Sequence, residues 1–209
     1  GEWVLLAADY SQVELRIMAH LSGDPAMLKA FEEGQDIHAS TASIVFGVEE
    51  SEVDRELRSR AKAINFGIIY GQSPFGLAKA LQIDRDEAAA FIEAYFAQYP
   101  GVDQLLEKIL EECRTKGYVS TILGRRRAIQ GVRDPSQSGG SSRQRSLPER
   151  TAINTVIQGS AADLTKQAMI NVHGRLQREP LQAKMLLQIH DELMFEAPVE
   201  EIDDLAALV

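Results

Sequence analysis

The sequence predicts an α+β fold in which a few strands carry the chemistry and many helices surround them. Three observations point there. Apolar runs of strand length stand near the two ends of the 209 residues, helical apolar spacing fills most of the interval, and Ser-x-x-Glu, Gly and Pro signals punctuate it. With 44% hydrophobic and 25% charged residues, the composition is that of a soluble globular chain, long enough for one large domain or two small ones. The single Cys113 excludes an internal disulfide framework and fits a reducing compartment. No apolar run reaches the ~18 residues of a membrane span, and no signal segment opens the chain. A cytoplasmic protein without a membrane partner is expected. The opening "GEWVLLAADYSQ" lacks an initiator Met and "EEIDDLAALV" stops within a helical pattern, so the chain reads as a piece of a longer protein.

In order, "WVLLAAD" (3–9) reads as a buried strand. Residues 11–23 follow as a helix, with Ser11 as N-cap, Glu14 in capping-box spacing and Gly23 near the end. Helices are expected over 25–34, over 51–71 behind Ser51, and over 84–100 and 101–117, closed by Pro100 and Gly117. "YVSTIL" (118–123) is a short strand, and "DPSQSGGSS" (134–142) is a loop by composition. A long helix spans 146–176, opened by Ser146, Pro148 and Glu149, with Gly159 inside it. The final apolar run, "KMLLQIHDELMFEA" (184–197), reads as a hairpin with "HDE" at its tip.

That tip raises the functional question. A charged side chain within an apolar strand is costly unless compensated, so Asp191 is either a solvated turn residue or a cation holder. Asp9 likewise ends an apolar strand, just before a helix, and could meet Asp191 only through folding. Two strand-end carboxylates suit Mg²⁺, which commonly takes one or two of them and leaves its other positions to water and phosphate. Strand-end aspartates without a metal are also common.

Arg58, Lys62, Phe66 and Tyr70 stand four apart, on one broad helix face. Like charges at this spacing cost a helix roughly 0.2–0.5 kcal/mol, a sign that a polyphosphate would reverse. The aromatic pair offers flat stacking surfaces, although a solvated charged turn followed by core aromatics has the same spacing. Gly67 costs about 1 kcal/mol against Ala in a helix and implies a close approach there. The net charge of −9 argues against a generic nucleic-acid binder. Residues 124–150 nevertheless hold seven Arg against Asp134 and Glu149, a local +5, leaving −14 on the rest. That segment is either a polyanion-binding face or a solvated Arg-rich loop.

Together, "DYSQVELRIMAHLSGD", "RSRAKAINFGIIYGQSPFGLA" and "LLQIHDELMFEAP" closely resemble, in this order, the three catalytic motifs of family A DNA polymerases. "DIHASTA", "YVSTILGRRR" and "NTVIQGSAADLTK" fit the same family, and the resemblance covers the chain apart from the Ser/Gly-rich stretch. It implies a partial right-hand polymerase fold, with a small antiparallel palm sheet and mostly helical fingers. Residues 1–20 and 150–209 would be palm, and 21–149 fingers with connecting segments. A thumb would precede Gly1, and the closing part of the palm would follow Val209.

The resemblance also implies roles. Asp9, Asp191 and the carbonyl of Tyr10 would hold two Mg²⁺ ions, with Mn²⁺ as a substitute, and Glu192 would be a neighbouring acid. Arg58, Lys62 and His38 would contact the triphosphate, with Lys62 also a proton donor to pyrophosphate. Phe66 would pack on the sugar and base, and Tyr70 would cover the templating site. Glu14 would be the steric gate against ribonucleotides, beside Gln12 and bonded to Tyr70, unless capping engages it. Arg125, Arg126 and Arg127 would contact DNA phosphates. Arg150, Asn154 and Gln158 would test minor-groove acceptors, and Gln188 and His190 would meet the primer terminus. The expected partners are primer–template DNA and deoxynucleoside triphosphates, for a monomeric DNA-directed DNA polymerase. Two other readings remain open. A metal-dependent nuclease would not need the Arg58–Tyr70 face, and a non-catalytic DNA- or nucleotide-binding piece would not extend a primer.

Overall fold

The computed structural model describes residues 1–134 and 145–209; the Ser/Gly-rich stretch, apart from Asp134, lies outside the described residues. Strand β1 (Trp3–Asp9) pairs antiparallel with β5 (Glu192–Pro198), which pairs in turn with β4 (Lys184–Ile189), giving the sheet order β1-β5-β4. The register runs from Trp3 opposite Pro198 to Asp9 opposite Glu192. Period-two alternation then puts Leu193, Phe195 and Ala197 of the central strand on one buried face. The hairpin tip is tighter than expected. Only His190 and Asp191 form the turn, and Glu192 already pairs with Ile189. A two-residue turn needs positive φ to match strand twist, and His190 supplies it at φ 56°.

Helix α1 (Val13–Ser22) starts later than its signals predict. Gln12, in a left-handed conformation and without a side-chain cap bond, occupies the cap position instead of Ser11. Glu14 therefore stands one place too early for a capping box, and its carboxylate turns elsewhere. Helix α2 (Pro25–Glu32) is capped by Asp24, and α3 (Ile37–Phe46), an element the periodicity did not resolve, by Asp36. Helix α4 (Arg55–Ile69) begins behind Asp54 rather than Ser51, because the Asp54 carboxylate accepts the Leu57 N–H while residues Glu50–Glu52 form a separate 3-10 turn. A further short helix, α5 (Pro74–Leu81), follows its Ser73 cap.

Helices α6 (Arg85–Gln98) and α7 (Pro100–Lys116) both form, but Pro100 opens the second, at a position where no N–H is required, instead of closing the first. Strands β2 (Tyr118–Ser120) and β3 (Arg126–Ala128) make a small second sheet, so the arginine run is partly strand. Helix α8 (Leu147–Leu176) starts where Glu149 accepts the Ser146 N–H, and α9 (Ile202–Leu208) ends the chain. None of the described helices is long and apolar enough to cross a membrane.

The described residues form two apolar clusters. The larger gathers α1 through α7, the first half of α8 and the small sheet. The smaller packs Phe195, Leu193 and Ala197 against Val172 of α8 and Leu205 and Leu208 of α9. Helix α8 joins the two. Its Gly159 brings the helix close to β2, since a Cβ there would lie 2.7 Å from Thr121 Cγ2. Behind this contact the Thr121 hydroxyl and Arg125 both donate to the buried carboxylate of Asp163. The Thr121 bond, more than the guanidinium, holds that carboxyl below its ordinary value of 3.8 against the opposing effect of burial.

Two outcomes follow. Gly159→Ala gains about 1 kcal/mol of helix propensity but forces the buried Thr121 to move, at about 1–3 kcal/mol, so urea unfolding should show net destabilisation. A carboxylate with a depressed pKa stabilises the fold above its unfolded value and stops doing so as pH falls through the folded one. Asp163→Asn should cost about 1–3 kcal/mol at pH 7 and flatten the loss of stability in acid, read from urea midpoints across pH.

Candidate active site

The register of β1 on β5 puts Asp9 and the His190–Asp191 turn at the same end of the sheet. Asp9 and Asp191 both line a cleft of about 370 Å³. Tyr10, Gln12 and Glu14 continue its wall from the start of α1, while His38 of α3 and Arg58, Lys62 and Phe66 of α4 face it. Residues 182 positions apart thus meet, with acids on the sheet side and cations on the helix side. Among the described residues, two of the three non-glycine residues with positive φ, Gln12 and His190, stand at this edge. Such conformations cost of order 1–3 kcal/mol and cluster where a site demands them.

Acids and hydrogen bonds organise both walls. The Tyr70 hydroxyl donates to Glu14 Oε2 at 2.9 Å. Burial is the main influence raising the Glu14 pKa; the Tyr70 bond opposes it, and the charge of Asp191 adds to it. Burial and the Glu14 carboxylate push Tyr70 up, and the side chain of Gln158 from α8 meets the same hydroxyl. Across the cleft, Arg58 Nε donates to Asp36 Oδ2 at 2.5 Å while the other Asp36 oxygen caps α3 through His38 and Ala39. Burial raises the Asp36 carboxyl, but Arg58 and these N–H groups outweigh it and leave it lowered. His38 is pushed down to about 4, by burial first and then by Arg58. It is therefore neutral at pH 7.

The aromatic face is in place. Phe66 and Tyr70 stack with centroids 6.0 Å apart, and Lys62 Nζ lies 5.9 Å from the Phe66 ring. The space Gly67 leaves open is filled from within the protein, by Gln72 and Leu77, so no ligand is needed to explain that glycine. Gly71, at φ 64°, lies against the side chain of Arg150, so the start of α8 meets the turn after α4. Glu192 is the ladder partner of Asp9 but lies outside the cleft lining.

The candidate DNA contacts spread over a wider surface. Arg125 is paired with Asp163 at 2.9 Å, Arg126 lies 4.9 Å over the Tyr118 ring, and Arg127 donates to Thr155 Oγ1 at 3.1 Å. All three remain exposed. Asn154 has a buried side-chain oxygen with no partner among the described residues. The Gln188 amide donates to the His190 carbonyl at 2.6 Å, and both residues are exposed. Asp36 is the site residue the sequence reading missed, although an Asp directly before an apolar segment closed by Gly47 is a helix-cap signal.

Tyr70→Phe removes the donor that restrains Glu14. The Glu14 carboxyl should then titrate at higher pH than in the wild type, as followed by carboxyl ¹³C chemical shifts.

DNA polymerase family A matches this chain over residues 1–209. The chain is 52% identical over 208 residues to DNA polymerase I of Geobacillus stearothermophilus and 49% identical over 208 residues to DNA polymerase I of Bacillus subtilis (strain 168). Each alignment covers 100% of this chain and 23% of the relative, so the chain spans less than a quarter of those proteins. Among solved structures it resembles the POL domain of Pol1 from M. smegmatis, in complex with DNA primer-template and dNTP, at a TM-score of 0.87 and 45% identity. That match covers 98% of this chain and 35% of the other, and it agrees with the α+β arrangement of small antiparallel sheets and many helices. A match over the whole length, relatives at about half identity and a shared fold together make this chain a member of DNA polymerase family A.

Proposed function

We propose that this chain forms the nucleotidyl-transfer centre of a template-directed DNA polymerase. Residues 1–20 and 150–209 would serve as palm and 21–149 as fingers with connecting segments. The observation that carries the reading is a single cleft with two strand-end carboxylates on one wall and Arg58, Lys62 and a neutral His38 on the other. A triphosphate brings negative charge to the second wall, and a divalent ion neutralises the first.

The donor set fits Mg²⁺. Asp9 and Asp191 offer hard carboxylate oxygens, the Tyr10 carbonyl adds a third, and the Asp191 charge is felt as far as Glu14. Among the described residues no group of three or more acidic, His or Cys side chains that could hold a metal ion gathers, so the ion would depend on Asp9, Asp191 and the Tyr10 carbonyl together with water and phosphate oxygens. Two bound Mg²⁺, or Mn²⁺ on the same ligands, would make the primer 3′-hydroxyl a better nucleophile and stabilise the departing pyrophosphate. Arg58 and Lys62 bind the β- and γ-phosphates, and Lys62 can protonate the pyrophosphate. Phe66 packs on the sugar and base. Glu14, held by Tyr70 rather than by a helix cap, fills the space a 2′-hydroxyl would need. Arg125, Arg126 and Arg127 meet backbone phosphates, while Arg150, Asn154 and Gln158 test minor-groove acceptors common to every base pair. Gln188 and His190 stand at the primer terminus.

The test replaces the matching segment of the Geobacillus stearothermophilus relative with these 209 residues and measures Mg²⁺-dependent primer extension. Asp191→Asn should lower extension by about 10³-fold or more. Robust extension by that variant, or none by the well-folded parent chimera, contradicts the reading. In the same assay, Asp36→Asn keeps an equally good helix cap but frees Arg58 from a half-exposed ion pair worth roughly 0.2–1 kcal/mol. The dNTP KM should fall by up to about fivefold.

A further inference from the structure

Behind the phosphate wall of the cleft lies a polar relay with no role so far. Asn65 and Thr41 are fully buried, and His38 is 2% exposed. The Thr41 hydroxyl donates to the Ile37 carbonyl at 2.8 Å, so its oxygen faces Asn65 as an acceptor. One hydrogen of Asn65 Nδ2 meets Thr41 Oγ1 at 3.1 Å, and the other meets His38 Nδ1 at 3.0 Å. Asn65 Oδ1 lies 3.2 Å from the same hydroxyl, which it can share with Ile37. Both amide hydrogens are used. Reversing the amide would keep a Thr41 contact but strand one amide hydrogen in a site closed to water, which proteins rarely tolerate.

The consequence reaches the cleft. With Nδ1 accepting, a neutral imidazole carries its hydrogen on Nε2. The charged groups facing the ring are Arg58 and Lys62 from α4, which disfavour protonation, and Asp36 at the start of its own helix, which favours it; burial tips the balance to the neutral form. The Phe66 ring stands 6.1 Å away.

We propose that Asn65 is a positioning residue that fixes His38 as the Nε2–H tautomer, so that a triphosphate in the cleft meets a hydrogen-bond donor rather than a lone pair. The opposite tautomer would aim a lone pair at phosphate oxygens. The proposal rests on the nucleotide reading of the cleft, but the tautomer does not.

The test uses ¹⁵N-histidine labelling of the polymerase chimera that carries these residues. His38 is assigned by loss of its signal in His38→Gln, and long-range ¹H–¹⁵N correlations report which ring nitrogen holds the hydrogen. The wild type should show Nε2–H and no titration above about pH 5, in line with the depressed pKa. Asn65→Asp presents an acceptor instead of a donor, so Nδ1 should take up a proton and His38 should titrate near neutrality. At pH 8.5, where that ring is neutral with its hydrogen on Nδ1, the variant's dNTP KM should rise about tenfold with kcat little changed. At pH 6.5, imidazolium restores the donor and KM should recover. A merely structural role would instead lower kcat at every pH without moving the His38 titration. An Nδ1–H tautomer in the wild type overturns the relay, and that measurement needs no variant to fold. The expected tautomer with a KM that Asn65→Asp does not move overturns instead the phosphate contact of His38.

Discussion

The pairing of β1 with β5 is the constraint on which the rest depends. Its seven-residue strands meet in continuous register, from Trp3 against Pro198 to Asp9 against Glu192. A slip of one residue would send Leu193, Phe195 and Ala197 to the opposite face and empty the smaller core. The apolar cluster therefore locks the register, and the register aligns Asp9 with the hairpin turn. A site made of charged groups is positioned by residues that carry no charge.

The opposite wall is held by helix α4, which serves core and cleft at once. Ile64, Ile68 and Ile69 face the large cluster, while Arg58, Lys62 and Phe66 face the cleft. Its charged end is anchored by Asp36, which caps α3 with one carboxylate oxygen and receives Arg58 with the other. The acid that orders one helix thus also sets the resting position of a cation on the next. Any anion drawn to Arg58 would have to compete with that acid, and the ion pair keeps the cationic wall ordered in its absence.

Much of this was legible in the sequence, and the reasons differ by element. The strand 3–9 and the helix from Ser146 were readable because apolar run length and a Ser-x-x-Glu signal are local properties. Helix α1 shows where local reading fails. Ser11 and Glu14 have capping-box spacing, but the chain leaves β1 in a turn that makes Gln12 the cap, and Tyr70 takes the Glu14 carboxylate. At Gly67 the expected close approach is present, made by Gln72 and Leu77 of the protein itself. The partners in both cases are distant in sequence or folded back within a turn, which periodicity does not register.

By itself the sequence determined the class of fold, the chemical character of the candidate residues and, through three ordered motifs, the family. Those are properties of residue type and spacing along one chain. The tertiary structure alone decided that Asp9 and Asp191 share a cleft, that Arg58 rests on Asp36, and that an asparagine and a threonine stand behind His38. Hydrogen bonds and charge pairs of this kind depend on ångström distances between segments far apart in the chain. The packing of an apolar core sets those distances, and no local pattern encodes them.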